Sequence, residues 1–239
     1  MKLDEFASKH GGVRWMARRH FEYTKPVNVP ATEAGSNTSL LGALVYTRAF
    51  DPGKLGLTPD GALNALKQGK VLAELGIIPE AIISGIDQRN TDGARFTVAG
   101  IKEITGQDIQ CLASPAITYP YYVDAYQTAE LMEKYGDGMV HRCLAGDLTE
   151  VWTETAEGLE KRIISAVGAR YPWGTPILFE MNFEPMVLLY YWFVKGTQLS
   201  KIPLEDGWCP TYGCMIVMTN DGTPALCDAN LEVIEDGSM

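Results

Sequence analysis

Apolar residues fall along this chain in short, well-separated blocks whose spacing alternates between that of a strand and that of a helix. Residues 13–18, Val-Arg-Trp-Met-Ala-Arg, read as a β-strand that ends at Arg19-His20. Thr58-Pro59-Asp60 is a helix start: threonine caps, proline suits the first helical position, and aspartate meets the positive end of the dipole. Ala62, Ala65, Leu66, Leu72 and Ala73 then recur at helical spacing until Gly76 stops the run. Ala81-Ile82-Ile83-Ser84 is a short buried strand, and helices are expected over about 91–104 and 123–135. A further helix, 154–170, carries the stripe Ala156, Leu159, Ile163, Ala166 and Val167. Proline and glycine break the chain over 171–176, before an apolar strand at Ile177-Leu178-Phe179 and a helical run over 186–194. Residues 214–219 make a strand, Asn220-Asp221-Gly222 a turn, and 225–228 a strand pairing back. Between Lys25 and about Leu57 the periodicity is lost, apart from an apolar piece at 40–46 that suits a short helix. A connection this long is usually functional, and covering an active-site mouth is one use for it.

Strands alternating with helices predict the α/β class, as a three-layer α/β/α sandwich with a mostly parallel central sheet. One domain spanning 1–239, with a loop insertion at about 25–57, suits the length. Hydrophobic residues make up 46% of the chain, enough for a sizeable core. The net charge of -10 argues against nucleic acid and against an anionic membrane surface as partners. It leaves room for a small phosphorylated ligand or phosphate, because a local arginine cluster dominates the field inside a cleft. Five cysteines at irregular spacing, with no histidine beside them, are expected as thiols rather than a disulfide framework or a metal site. No cofactor is called for. The N-terminus lacks the apolar run of a signal peptide, and no stretch reaches the ~18 apolar residues of a membrane span, so a cytoplasmic protein is expected. Oligomerisation is left open.

Arg19-His20 at the end of a strand carries the candidate chemistry. A neutral imidazole is a good nucleophile near neutrality, and a guanidinium fork binds the oxygens of a phosphoryl group. The order of residues around it is equally informative. Arg19-His20-Phe21-Glu22 is followed by Leu57-Thr58-Pro59-Asp60-Gly61. Then comes Leu75-Gly76-Ile77-Ile78-Pro79-Glu80-Ala81-Ile82-Ile83-Ser84, with Arg89 five residues beyond that serine. This arrangement resembles the histidine phosphatase superfamily, the phosphoglycerate mutase-like proteins. The resemblance implies phosphomonoester hydrolysis through a phosphohistidine at His20, with Arg19 and Arg89 clamping the phosphate of a small substrate.

Two positions depart from that pattern. Phe21 replaces a glycine, which predicts backbone strain, and its ring would shade the pocket. The family's second histidine has no counterpart: the Glu184-Pro185 register puts Phe183 there, and a one-residue slip puts Asn182 there instead. Losing such a donor typically costs ~3 kcal/mol, part of which an Asn182 amide would recover. His10 and His141, the other two histidines, match no family position. Asp124 is the candidate proton donor, with Glu130 and Glu22 as alternatives. The competing reading is a degenerate member that binds a phosphorylated ligand or a protein partner. Arg14 and Arg18 are expected on a solvated or salt-bridged face. Glu180, inside an apolar strand, either pairs with a cation, an active-site arginine among the candidates, or marks a strand less buried than its neighbours imply.

Overall fold

The central strand β1 (Val13–Arg19) forms because five of its seven residues are buried, with apolar side chains going to both faces of a sheet. In the computed structural model, which describes residues 1–23, 56–168, 176–204 and 207–237, β1 lies between two neighbours. It pairs in parallel with β4 (Ile177–Met181) and antiparallel with β5 (Met215–Thr219). The seven-stranded order is β3-β2-β4-β1-β5-β6-β7, where β2 is Ala81–Ser84, β3 Gln110–Ala113, β6 Pro224–Cys227 and β7 Val233–Asp236. From β3 to β1 the sheet is parallel; from β1 to β7 it is an antiparallel meander that includes the expected hairpin.

Alternation along β4 separates two cores. Ile177, Phe179 and Met181 face one, with Trp15, Ile163 and Val187; Leu178 faces the other, with Met16, Leu72 and Phe6. The second core is roofed by α1 (Leu3–Lys9), α2 (Pro59–Glu74) and α3 (Gln88–Thr105). The first is covered by α4 (Ala125–Tyr135), α5 (Gly138–Leu144), α6 (Ala156–Gly168) and α7 (Phe183–Leu189). The helix start at Thr58 is as expected: its hydroxyl accepts from the Gly61 amide at 3.0 Å. Helices α2 and α3 approach closely because glycines meet backbone. A Cβ on Gly100 would lie 2.1 Å from the Leu66 carbonyl oxygen, and one on Gly69 2.3 Å from that of Thr97.

The α/β/α architecture and the expected strands and helices of the described residues are present. The helical run after β4 begins at Phe183 rather than 186 and ends in a π-turn over Tyr190–Val194. Elements α1, β3, α5 and β7 were not expected; each has only four to seven residues, too few to display a period. The connection 25–57 lies outside the described residues except for Gly56 and Leu57, as do its apolar piece 40–46 and the break at 171–175. The strain expected at Phe21 is absent, since Leu231 is the one non-glycine with positive φ among the described residues. No helix among them is long and apolar enough to cross a membrane.

Candidate active site

His20 leaves β1 at the C-terminal end of the parallel strands, where ligands of open α/β sheets bind. Its backbone amide still donates to Met181 of β4 at 3.0 Å, which fixes the residue against the neighbouring strand. The ring Nδ1–H donates to the Phe21 carbonyl oxygen at 2.8 Å. That bond selects the tautomer with its lone pair on Nε2. The ring is only 3% exposed. Burial first, then the charges of Arg89 and Arg19, hold its pKa well below the usual imidazole value. A neutral imidazole beside two guanidinium groups is a nucleophile ready for an anion.

Both arginines are aimed by aromatic faces. Arg19 stacks between Tyr212, 4.4 Å from its guanidinium carbon to the ring centre, and Phe183 at 5.0 Å. One of its NH2 groups donates to the Pro210 carbonyl, while its buried Nε has no hydrogen-bond partner within the protein. Arg89, in the first turn of α3, lies over Tyr23 at 4.7 Å and near Tyr119 at 5.9 Å. Tyr23 also meets the His20 ring edge-on at 5.3 Å, and Tyr212 meets it at 5.8 Å. Tyr23 thus touches both His20 and Arg89, and Tyr212 both His20 and Arg19.

Asn182 joins this group. A guanidinium offers only donors, so the Asn182 amide turns its oxygen to Arg89, accepting from Nε at 3.3 Å and from an NH2 at 2.7 Å. Its other end lies 2.6 Å from the Asn90 amide. The structure therefore brings together four of the expected site residues: His20, Arg19, Arg89 and Asn182. Asp124 is exposed and caps α4, accepting from the Gln127 amide at 2.7 Å. The Phe21 ring does not shade the pocket as expected: it is buried on the Arg18 guanidinium and against Gly213, where an added Cβ would come within 2.5 Å of it.

Glu184 was overlooked in the sequence, where it served only to set a register. Its side chain is 2% exposed in the first turn of α7. One oxygen accepts from the Tyr122 hydroxyl at 2.9 Å; the other has no partner. Burial raises its pKa, against the pull of its own backbone N–H, of the Tyr122 bond and of the Arg89 and Arg19 charges. A carboxyl group in an otherwise apolar run, Phe183 to Leu189, was the available signal. Among the described residues no cluster of histidine, cysteine and acidic side chains is arranged to hold a metal ion.

No protein-family model matches the sequence, and no curated protein matches it. Solved structures do. A mycobacterial glucosyl-3-phosphoglycerate phosphatase holding inorganic phosphate aligns over 92% of this chain and 100% of its own, with TM-score 0.57 and 14% identity. The fold is phosphoglycerate mutase-like. A structure of that phosphatase with VO3 gives TM-score 0.54 over 93% of this chain and 98% of its own, at 13% identity. The product of open reading frame Rv3214 from Mycobacterium tuberculosis gives 0.55 over 92% and 97%, at 15% identity. On this phosphoglycerate mutase-like frame the two registers weighed in the sequence diverge: Asn182 lies against Arg89, and Phe183 under Arg19.

Proposed function

We propose that the protein is a phosphomonoesterase that works through a phosphohistidine at His20. The observation that carries this reading is a neutral, buried imidazole, fixed as the Nδ1–H tautomer, beside a buried Arg89 and a half-buried Arg19. In the first step Nε2 of His20 attacks phosphorus and the ester P–O bond breaks. Arg19 and Arg89 bind the equatorial oxygens, whose charge is dispersed in the transition state. Asn182 sets the direction of Arg89 by accepting from its guanidinium.

The leaving oxygen needs a proton, and in this reading Glu184 supplies it in place of Asp124. Its raised pKa keeps the carboxyl protonated at higher pH than an ordinary glutamate, and its unpartnered oxygen is available to donate. In the second step water attacks phosphorus and the P–N bond breaks. The carboxylate takes a water proton, inorganic phosphate leaves, and both groups return to their starting states. The substrate is a small phosphorylated molecule, and a cytoplasmic setting belongs to the same reading.

One observation favours a second reading, a phosphate-binding protein without turnover: His20 and Arg89 are each only 3% exposed beneath tyrosines. Purified protein is tested on p-nitrophenyl phosphate beside a His20→Ala variant. The enzyme reading expects turnover that falls to background in the variant. Phosphate binding without turnover across a broad panel of phosphomonoesters establishes the binder instead.

A further inference from the structure

Directly beneath the site lies a charged cluster that the chemistry above does not use. Arg18 and Glu180 face each other across β1 and β4, and both side chains are 0% exposed. Arg18 Nε donates to Glu180 Oε2 at 2.7 Å, and one of its NH2 groups donates to the same oxygen. The guanidinium also donates to Gln68 Oε1 in α2 and to Thr97 Oγ1 in α3, both at 2.8 Å. Gln68 passes the connection on, donating to the carbonyls of Gly213 at 2.9 Å and Ala229 at 2.8 Å. Phe21 closes the top, its ring centre 4.8 Å from the Arg18 guanidinium carbon. The remaining Glu180 oxygen has no partner and sits where Gly93 leaves room; a Cβ there would come within 2.2 Å of it.

A buried ion pair is weak evidence for stability, because apolar residues of similar volume commonly do as well in its place. The location of this one is therefore informative. Arg18 directly precedes Arg19-His20, and Glu180 lies two residues before Asn182. Thr97 is on the helix that carries Arg89, and Gly213 follows Tyr212. Gly213 and Cys214 also exchange backbone hydrogen bonds with Arg19, at 3.2 and 3.1 Å. The cluster thus reaches every element that contributes a group to the anion site. We propose that Arg18 and Glu180 are positioning residues, an ionic brace that fixes the spacing of the β1 and β4 ends so that Nε2 of His20 and the two arginines meet one phosphoryl group. The proposal rests on the phosphatase reading.

The test is the double variant Arg18→Met/Glu180→Leu, which replaces the pair with apolar bulk. Misplacement of a nucleophile by an ångström costs up to ~100-fold. With the thermal midpoint maintained, kcat for p-nitrophenyl phosphate is expected to fall roughly tenfold or more and KM to move less than about threefold. Vanadate resembles the transition state, so its affinity should fall with kcat while inorganic phosphate affinity holds. A folded double variant with wild-type kcat and vanadate affinity overturns the brace. If the double variant does not fold, Gln68→Met decides: weaker vanadate binding at an unchanged thermal midpoint supports the proposal, and unchanged binding overturns it. Wild-type protein that binds vanadate without turnover refutes the hydrolase reading alone, and the vanadate comparison then judges the brace. Wild-type protein that does neither overturns both.

Discussion

Replacing Glu184 with glutamine tests the proton donor while disturbing little else. The oxygen that accepts from Tyr122 at 2.9 Å has a counterpart in the amide, and the other oxygen has no partner to lose. In the protonated carboxyl an unpaired O–H becomes an unpaired N–H at the same place, so stability should change by no more than about 1 kcal/mol. Activity should change far more, and selectively. General acid catalysis contributes ~100- to 10,000-fold when the leaving group is basic, and little when the leaving anion is already stable. A series of substituted phenyl phosphates spans that range. With p-nitrophenyl phosphate, Glu184→Gln should retain kcat/KM, which reports phosphoryl transfer to His20 and not the later hydrolysis, within roughly threefold of wild type; with unsubstituted phenyl phosphate it should lose ~100-fold. The latter corresponds to about 2.7 kcal/mol of transition-state stabilisation. A loss of kcat/KM of equal size for every leaving group, or none for any, refutes the assignment.

The acid side of the pH profile follows from one displaced pKa. His20 must be neutral and its pKa is held down, so the acid limb of kcat/KM is expected below pH 6.5; a limb at or above that value contradicts the buried, doubly flanked imidazole. The same group is neutral in the fold and takes a proton on unfolding, so its share of stability is present above pH 6.5 and lost as pH falls through that range. Thermal melts against pH should show a shallower acid decline in His20→Asn. Phe21→Gly restores the residue of the resembling family yet should destabilise the fold by about 3 kcal/mol, because a fully packed ring is lost and no strain is relieved; urea unfolding with a loss under ~1 kcal/mol would show the ring to be dispensable. Gly100→Ala should cost about 2 kcal/mol by the same measurement, since its methyl group meets the Leu66 carbonyl; an unchanged midpoint would mean that α2 and α3 separate freely.

Much of the frame was legible because it is written in local chemistry. Thr58-Pro59-Asp60 announces α2 by capping alone, while Arg89 was singled out only by the family resemblance that the Leu75 to Ser84 stretch carries. What could not be read depends on which face of which strand is covered. Arg18 was expected on a solvated or salt-bridged face, and it is salt-bridged but not solvated: β1 is central and its C-terminal half is roofed by α2 and α3, so the guanidinium is enclosed with Glu180 as its acid. Local sequence gives no sign of that pairing, since the two are 162 residues apart. Glu184 was hidden for a similar reason: in the sequence it serves only to set a register beside Pro185, and its value comes from Tyr122, Arg19 and Arg89, supplied by distant segments. Strand β3, exposed along its whole length at the sheet edge, has no apolar alternation to detect.

The most direct measurement traps the intermediate. Wild-type protein mixed with p-nitrophenyl phosphate, quenched within one turnover and digested, should yield a phosphoryl adduct on the peptide containing His20. The adduct should be labile in acid, stable in base, and missing from His20→Ala. Turnover that persists in His20→Ala, or an adduct carried by any other residue, would contradict the account.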